Sequence, residues 1–180
     1  AAGQAFGLAI RTTLENSGTI VGDTNDGVRL IGGGTITNSG SIEGRGDAFA
    51  DGVSMFYLEG QDTVGEASMG SIVNQVGGSI SGVRFGAILT GGGVVDNAGT
   101  IRGNGSYDGF EFRPQGGIQI SAVGSSVANS GTISGGGTGL STLYVFDPAA
   151  GQAFGLAIRT TLENSGTIVG DTNDGVRLIG

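Results

Sequence analysis

Lysine, histidine, cysteine and tryptophan do not occur in this 180-residue sequence, and proline occurs only twice. Without cysteine there is neither a disulfide framework nor a thiolate metal site. Scarce proline, with glycines that do not fall at every third position, excludes a collagen helix. The 8 basic residues, all arginine, stand against 16 acidic ones, and the resulting net charge of −8 repels a nucleic-acid backbone and an anionic membrane surface. No apolar run approaches the roughly 20 residues needed to cross a bilayer. No initiating methionine or signal-peptide pattern stands at the start, so the sequence reads as a segment of something longer.

What is abundant is glycine, at 40 residues, and repetition. Ala1 to Gly32 returns unchanged from Ala149 to Gly180, so the period is 148 residues. The reading is therefore one complete tandem repeat, 1–148, followed by the start of the next, 149–180, in the same continuous solenoid. Inside the unit a shorter motif recurs: LENSGTIVG at Asn16, ITNSGSIEG at Asn38, IVNQVGGSISG at Asn74, VDNAGTIRG at Asn97, VANSGTISG at Asn129 and LENSGTIVG again at Asn164. The Asn spacings of 22, 36, 23, 32 and 35 add up to the long period, which predicts five coils per repeat. A looser motif, glycine followed by alternating apolar residues, lies between: Asp26 to Leu30, Asp51 to Met55, Phe85 to Leu89, Gly116 to Ile120, and Phe6 to Ile10 with its copy Phe154 to Ile158. Period-two alternation marks a strand with one buried face.

Strands this short are not stable as isolated hairpins, and the glycine density excludes helices. Stacked coils solve the problem, because each strand then pairs in parallel with its counterpart about 4.8 Å away and each position becomes a column. The expected fold is all-β, a right-handed parallel β-helix. One inward column is Leu14, Ile36, Ile72, Val95, Val127 and Leu162; another is Ile20, Ile42, Ile80, Ile101, Ile133 and Ile168. Asn16, Asn38, Asn74, Asn97, Asn129 and Asn164 form a structural amide ladder at the corner between them. The glycine that usually follows two residues later is expected to supply a left-handed φ at that corner.

These NSGTI and NAGTI segments, with glycine-rich turns and abundant Ser, Thr and Asn, make the chain resemble the passenger domains of Gram-negative autotransporter adhesins and related haemagglutinin-like surface proteins. The resemblance implies a right-handed β-helix, export across the outer membrane, and display at the cell surface or in the extracellular matrix. A structural stalk or adhesive fibre follows from it, supporting adhesion or biofilm assembly. Expected partners are further copies of the repeat stacked end to end, lateral neighbours, and a glycan or cell-surface receptor; nucleic acid and membrane insertion of this segment are not expected.

Several residues invite sharper readings. Arg45-Gly46-Asp47 is an RGD tripeptide of the kind that integrin-type receptors read, although a solvated turn explains it as well. Asp23 and Asp26, with their copies Asp171 and Asp174, offer oxygen donors for calcium, the one cofactor considered, yet Asp before Gly is also ordinary turn chemistry. The hydroxyl series Thr19, Ser41, Ser79, Thr100, Thr132 and Thr167 suggests ice binding, but the uneven coil lengths make a poor lattice. A polysaccharide-degrading β-helix enzyme needs clustered carboxylates, often with a basic partner; His and Lys are absent and the arginines are scattered, so no catalytic residue is assigned. The insertions Phe56 to Met69, Phe110 to Gln115 and Leu143 to Pro148 carry most of the aromatics and are the places where a ligand-binding module would read a glycan or receptor.

Overall fold

The structure is a computed structural model that describes residues 12–46, 48–56, 69–105, 116–120, 124–142, 160–172 and 174–178. Within them the chain makes six coils of three short strands each. The first coil holds β1 (Thr12–Asn16), β2 (Thr19–Gly22) and β3 (Val28–Ile31). The second holds β4 (Gly34–Asn38), β5 (Ser41–Gly44) and β6 (Val53–Phe56), and the third β7 (Gly70–Asn74), β8 (Ser79–Gly82) and β9 (Phe85–Leu89). The fourth holds β10 (Gly93–Asn97), β11 (Thr100–Gly103) and β12 (Gly116–Ile120); the fifth β13 (Ser126–Asn129), β14 (Thr132–Gly135) and β15 (Thr138–Thr142). The sixth holds β16 (Thr161–Asn164), β17 (Thr167–Gly170) and β18 (Val176–Arg177).

Equivalent strands stack into three six-stranded sheets, β1-β4-β7-β10-β13-β16, β2-β5-β8-β11-β14-β17 and β3-β6-β9-β12-β15-β18, called A, B and C below. Every pairing is parallel. This is the parallel β-helix that the periodicity predicts, five coils making one repeat and the sixth beginning the next.

Both expected columns are observed. Leu14, Ile36, Ile72, Val95, Val127 and Leu162 are successive partners in sheet A. The six isoleucines do the same in sheet B. Sheet C closes the prism with two more columns, one running Val28, Val53, Ala87, Ile118, Leu140 and Val176, the other Leu30, Met55, Leu89 and Ile120. Among the described residues the buried core cluster is aliphatic plus Met55, and the buried Phe85 lies outside it. Burying an Ile or Leu side chain contributes about 1.5–3 kcal/mol, and strands this short are not stable as isolated hairpins. Because the side-chain period is two, a one-residue slip would turn a whole column to solvent, so the aliphatic pattern alone fixes register.

Two expectations are corrected. The third strand of the fifth coil is Thr138–Thr142, reading TGLST, whereas the alternation at Phe154 to Ile158 and its copy at Phe6 to Ile10 lies outside the described residues. TGLST qualifies because Gly139 enters a glycine column and Leu140 a core column. The second correction concerns the corner glycines. Gly18, Gly40, Gly99, Gly131 and Gly166 are not among the residues with positive φ; within the Asn corners only Gly77 is, at 82°. Left-handed glycines instead serve mainly the return from sheet C to sheet A, at Gly32, Gly33 and Gly34 and at Gly92 and Gly93.

Connection lengths differ sharply between corners. Between A and B the chain spends two residues in most coils, such as Ser17 and Gly18. Residues 57–69 and 143–160 separate sheet C from the next strand of sheet A, and residues 104–115 separate B from C, so every long insertion flanks sheet C. Of the insertion aromatics, Phe56 ends β6, with the Arg29 guanidinium 5.5 Å from its ring centroid; Tyr57, Phe110, Phe112, Tyr144 and Phe146 lie outside the described residues.

Candidate functional site

The surface that recurs throughout the molecule is the one between coils, and the asparagine and glycine columns and one charged clamp shape it. At the A–B corner the amide nitrogen of each Asn donates to the amide oxygen of the Asn in the following coil. Asn16 reaches Asn38 at 2.8 Å, Asn38 reaches Asn74 at 2.9 Å, Asn74 reaches Asn97 at 2.8 Å, Asn97 reaches Asn129 at 2.7 Å, and Asn129 reaches Asn164 at 2.7 Å. The same nitrogens also donate to the carbonyl of the corner glycine in their own coil and to a carbonyl of the next, as Asn97 does to Gly99 at 3.3 Å and Thr132 at 3.1 Å. The backbone runs the other way: the N–H groups of Ala98 and Gly99 donate to the Asn74 carbonyl, and those of Ser130 and Gly131 to the Asn97 carbonyl. An amide suits this corner because its NH2 carries two donors beside an acceptor oxygen, enough for the next Asn and a carbonyl as well; a carboxylate has no donor and a hydroxyl only one. Asn38, Asn74 and Asn97 are fully buried, so each lost partner leaves a polar atom whose burial costs about 1–3 kcal/mol.

The corner accepts little variation. In the third coil Gln75 to Gly78 replaces the usual pair, yet the ladder passes through: Val76 is pushed out to solvent, Gly77 turns left-handed, and Gly78 offers its carbonyl to the Asn74 amide at 3.2 Å. The glycines elsewhere at this corner are required for space. A Cβ at Gly40, Gly99, Gly131 or Gly166 would strike the carbonyl oxygen of the equivalent residue in the coil below.

A second glycine column, Gly27, Gly52, Gly86, Gly117 and Gly139, leads into sheet C. A Cβ on any of these would lie between 2.5 and 2.8 Å from the carbonyl oxygen of the next coil's glycine. It would also press on the Cγ2 of an isoleucine in sheet B, such as Ile101 at 2.6 Å from Gly86. Glycine and isoleucine columns therefore interlock, and the alternation that marks sheet C in the sequence begins with the residue that lets the sheets close.

The third feature was not legible in the sequence. Asp51, fully buried between B and C, receives the Arg84 guanidinium of the next coil in a two-pronged contact, Nε at 2.9 Å and Nη2 at 2.6 Å. The Ser54 hydroxyl donates to it at 2.8 Å and the Phe85 N–H at 3.1 Å. Arg84 in turn lies 5.4 Å from the Phe85 ring centroid and 6.0 Å from that of Phe49. The only signal available was that Arg84 directly precedes the strand start that the first, second and sixth coils mark with Asp-Gly; pairing it with an aspartate 33 residues earlier needs the coil register.

The remaining candidates fall as follows. Arg45 forms an ion pair with Glu43 at 2.7 Å, holding the Glu43 carboxyl below its ordinary range through that hydrogen bond and raising the arginine in turn. Gly46 is packed against the Thr24 backbone, and Asp47 lies outside the described residues. Asp26 accepts from Arg29 Nε at 2.7 Å and from the Asp51 N–H at 2.9 Å, so its carboxylate is committed to stacking; its copy Asp174 accepts from Arg177 at 2.7 Å. Asp23 and Asp171 are exposed. Among the described residues no group of three or more His, Cys, Asp or Glu is placed to hold a metal ion. Thr19, Ser41, Ser79, Thr100, Thr132 and Thr167 are in register along sheet B, next to a mixed column of Val21, Glu43, Ser81, Arg102, Ser134 and Val169. No family model matches the chain, and neither a curated protein nor a solved structure does.

Proposed function

We propose that this chain is the repeating shaft of an extracellular fibre, a spacer that projects an adhesive surface from a cell and whose product is length and stiffness; on this reading it catalyses nothing. The observation that carries the proposal is the passage of all three sheets across the repeat boundary. Between the fifth coil and the sixth, which begins the second copy, Val127 pairs with Leu162, Ile133 with Ile168 and Leu140 with Val176, and Asn129 hands the ladder to Asn164. A tandem array then has no joint: five coils add about 24 Å of rise per repeat at about 4.8 Å each. The resemblance to autotransporter adhesin passengers supports the cell-surface setting.

Recombinant arrays of one, two and three repeats, measured by small-angle scattering and electron microscopy, should lengthen by that increment at constant cross-section. Arrays that bend between repeats or collapse into beads would refute the shaft.

A second reading, a ligand-binding module, draws on the confinement of every long insertion to the borders of sheet C. Glycan arrays and a cell-attachment assay with Asp47→Glu distinguish it: attachment lost while the rod remains folded would favour loop recognition.

A further inference from the structure

We propose that Asn104 is a site of spontaneous covalent ageing, at which the Gly105 amide closes on the Asn104 side chain and converts it to isoaspartate or aspartate. The inference stands without the shaft reading. In the reaction the Gly105 nitrogen bonds to Asn104 Cγ, the Cγ–Nδ2 bond breaks, and the Gly105 proton leaves with the departing ammonia. A water molecule then opens the succinimide ring at either carbonyl and leaves a carboxylate.

Nine asparagines stand in the sequence, and only Asn104 precedes a glycine. With no Cβ beside it, a glycine nitrogen reaches the side-chain carbon with the least crowding. Hydrogen bonding sets Asn104 apart a second time. At the A–B corner of the second to sixth coils, the N–H that would have to attack is already committed to the preceding coil. Ser39 donates to the Asn16 carbonyl at 2.8 Å, Gln75 to Asn38 at 2.8 Å, Ala98 to Asn74 at 2.8 Å, Ser130 to Asn97 at 2.8 Å and Ser165 to Asn129 at 2.9 Å. In the first coil the Asn16 amide nitrogen is held by Asn38 Oδ1 at 2.8 Å and the Ser41 carbonyl at 3.1 Å. The bonds that keep the coils in register therefore also keep the ladder asparagines inert.

Asn25 is restrained in another way. Its Oδ1 accepts from the Asp26 N–H at 3.0 Å and from Arg29 Nη2 at 2.9 Å, while its copy Asn173 lies outside the described residues. Asn104 has no such restraint: its side chain is exposed, and among the described residues neither that side chain nor the Gly105 N–H makes a hydrogen bond.

The change would fall where neighbouring coils press on the main chain. The Asn104 N–H donates to the Gly82 carbonyl of the third coil at 2.8 Å, and a Cβ on Gly136 of the fifth would lie 2.2 Å from the Gly105 carbonyl oxygen. Isoaspartate routes the backbone through the side-chain carbon and so lengthens it between those contacts. Either product also adds a negative charge to a chain already at −8, and a tandem array gains one per repeat.

Peptide mapping by mass spectrometry, after the folded chain has stood in mildly alkaline heavy-oxygen water, reads the reaction because each conversion takes up a labelled oxygen. Label should accumulate at Asn104, with isoaspartate among the products, while Asn38, Asn74, Asn97 and Asn129 stay unlabelled. In urea the rate at Asn104 should change little, whereas Asn38 and Asn129 should begin to react. Gly105→Ala should slow uptake by about tenfold, equivalent to about 1.4 kcal/mol on the barrier. Asn104→Gln, which keeps an amide on the surface, should abolish it in that peptide. An unlabelled Asn104 in the folded chain, ladder asparagines that react as fast, or uptake that survives either substitution unchanged would overturn the proposal.

Discussion

The A–B corner and the two borders of sheet C are built from the same chain under the same stacking constraint, yet one is nearly invariant and the others vary coil by coil. The difference lies in what each column hands to its neighbour. An amide must meet another amide at every level, so the A–B turn is held to two residues, with one two-residue bulge that returns its glycine carbonyl to the ladder. Beside sheet C the hydrogen bonds between coils come largely from the backbone and from single clamps such as Asp51 with Arg84. Apart from the glycine that leads into each sheet-C strand, no residue there must repeat from coil to coil, and insertions are tolerated.

The sharpest way to break this contrast is at glycine. Gly99→Ala should cost more than about 3 kcal/mol, because the new Cβ meets the Gly78 carbonyl and the coils must separate. Gly32→Ala, at φ 89° with open space around it, should cost about 1 kcal/mol of backbone strain. Urea unfolding measures both, and equal losses would mean that space is not what selects glycine at the corner. Next comes the ladder. Asn97→Ala should lose about 3 kcal/mol, since it strands the Asn74 donor and the Asn129 acceptor in the interior, whereas Asn164→Ala at the exposed end should lose under about 1 kcal/mol.

Asp51→Ala is expected to cost about 2 kcal/mol in the same measurement. That lies below the range for a fully buried pair, because the Arg84 side chain keeps 23% exposure and can turn to water. If it exceeded the loss at Asn97, the borders of sheet C would be the stiffer element. The smallest effect belongs to Arg45. Its hydrogen bond depresses the Glu43 carboxyl, so the pair's contribution is present at neutral pH and fades as pH falls through the lowered value. Arg45→Ala should return that carboxyl to its ordinary range in an NMR titration with little change in the melting temperature.

The sheet-A and sheet-B columns could be read from the sequence because they satisfy one strict spacing around each Asn. The clamp could not, since Asp51 and Arg84 lie 33 positions apart and Arg84 belongs to no repeating motif. TGLST is illegible for a related reason: Leu140 is its sole aliphatic residue, and only stacking against Ile118 and Val176 reveals the segment as a strand. The RGD tripeptide shows the opposite limit. Its letters stand out, but Arg45 is already engaged by Glu43.

By itself the sequence determined the coil, its count and the chemistry of its core, because a periodic chain of aliphatic, amide and glycine positions has one economical way to bury the first and pair the second. Tertiary structure alone decided why the corner residues are glycine, where the third strand of the fifth coil lies and which charges meet. Those outcomes depend on atoms brought together from different coils, at distances that no spacing along the chain encodes.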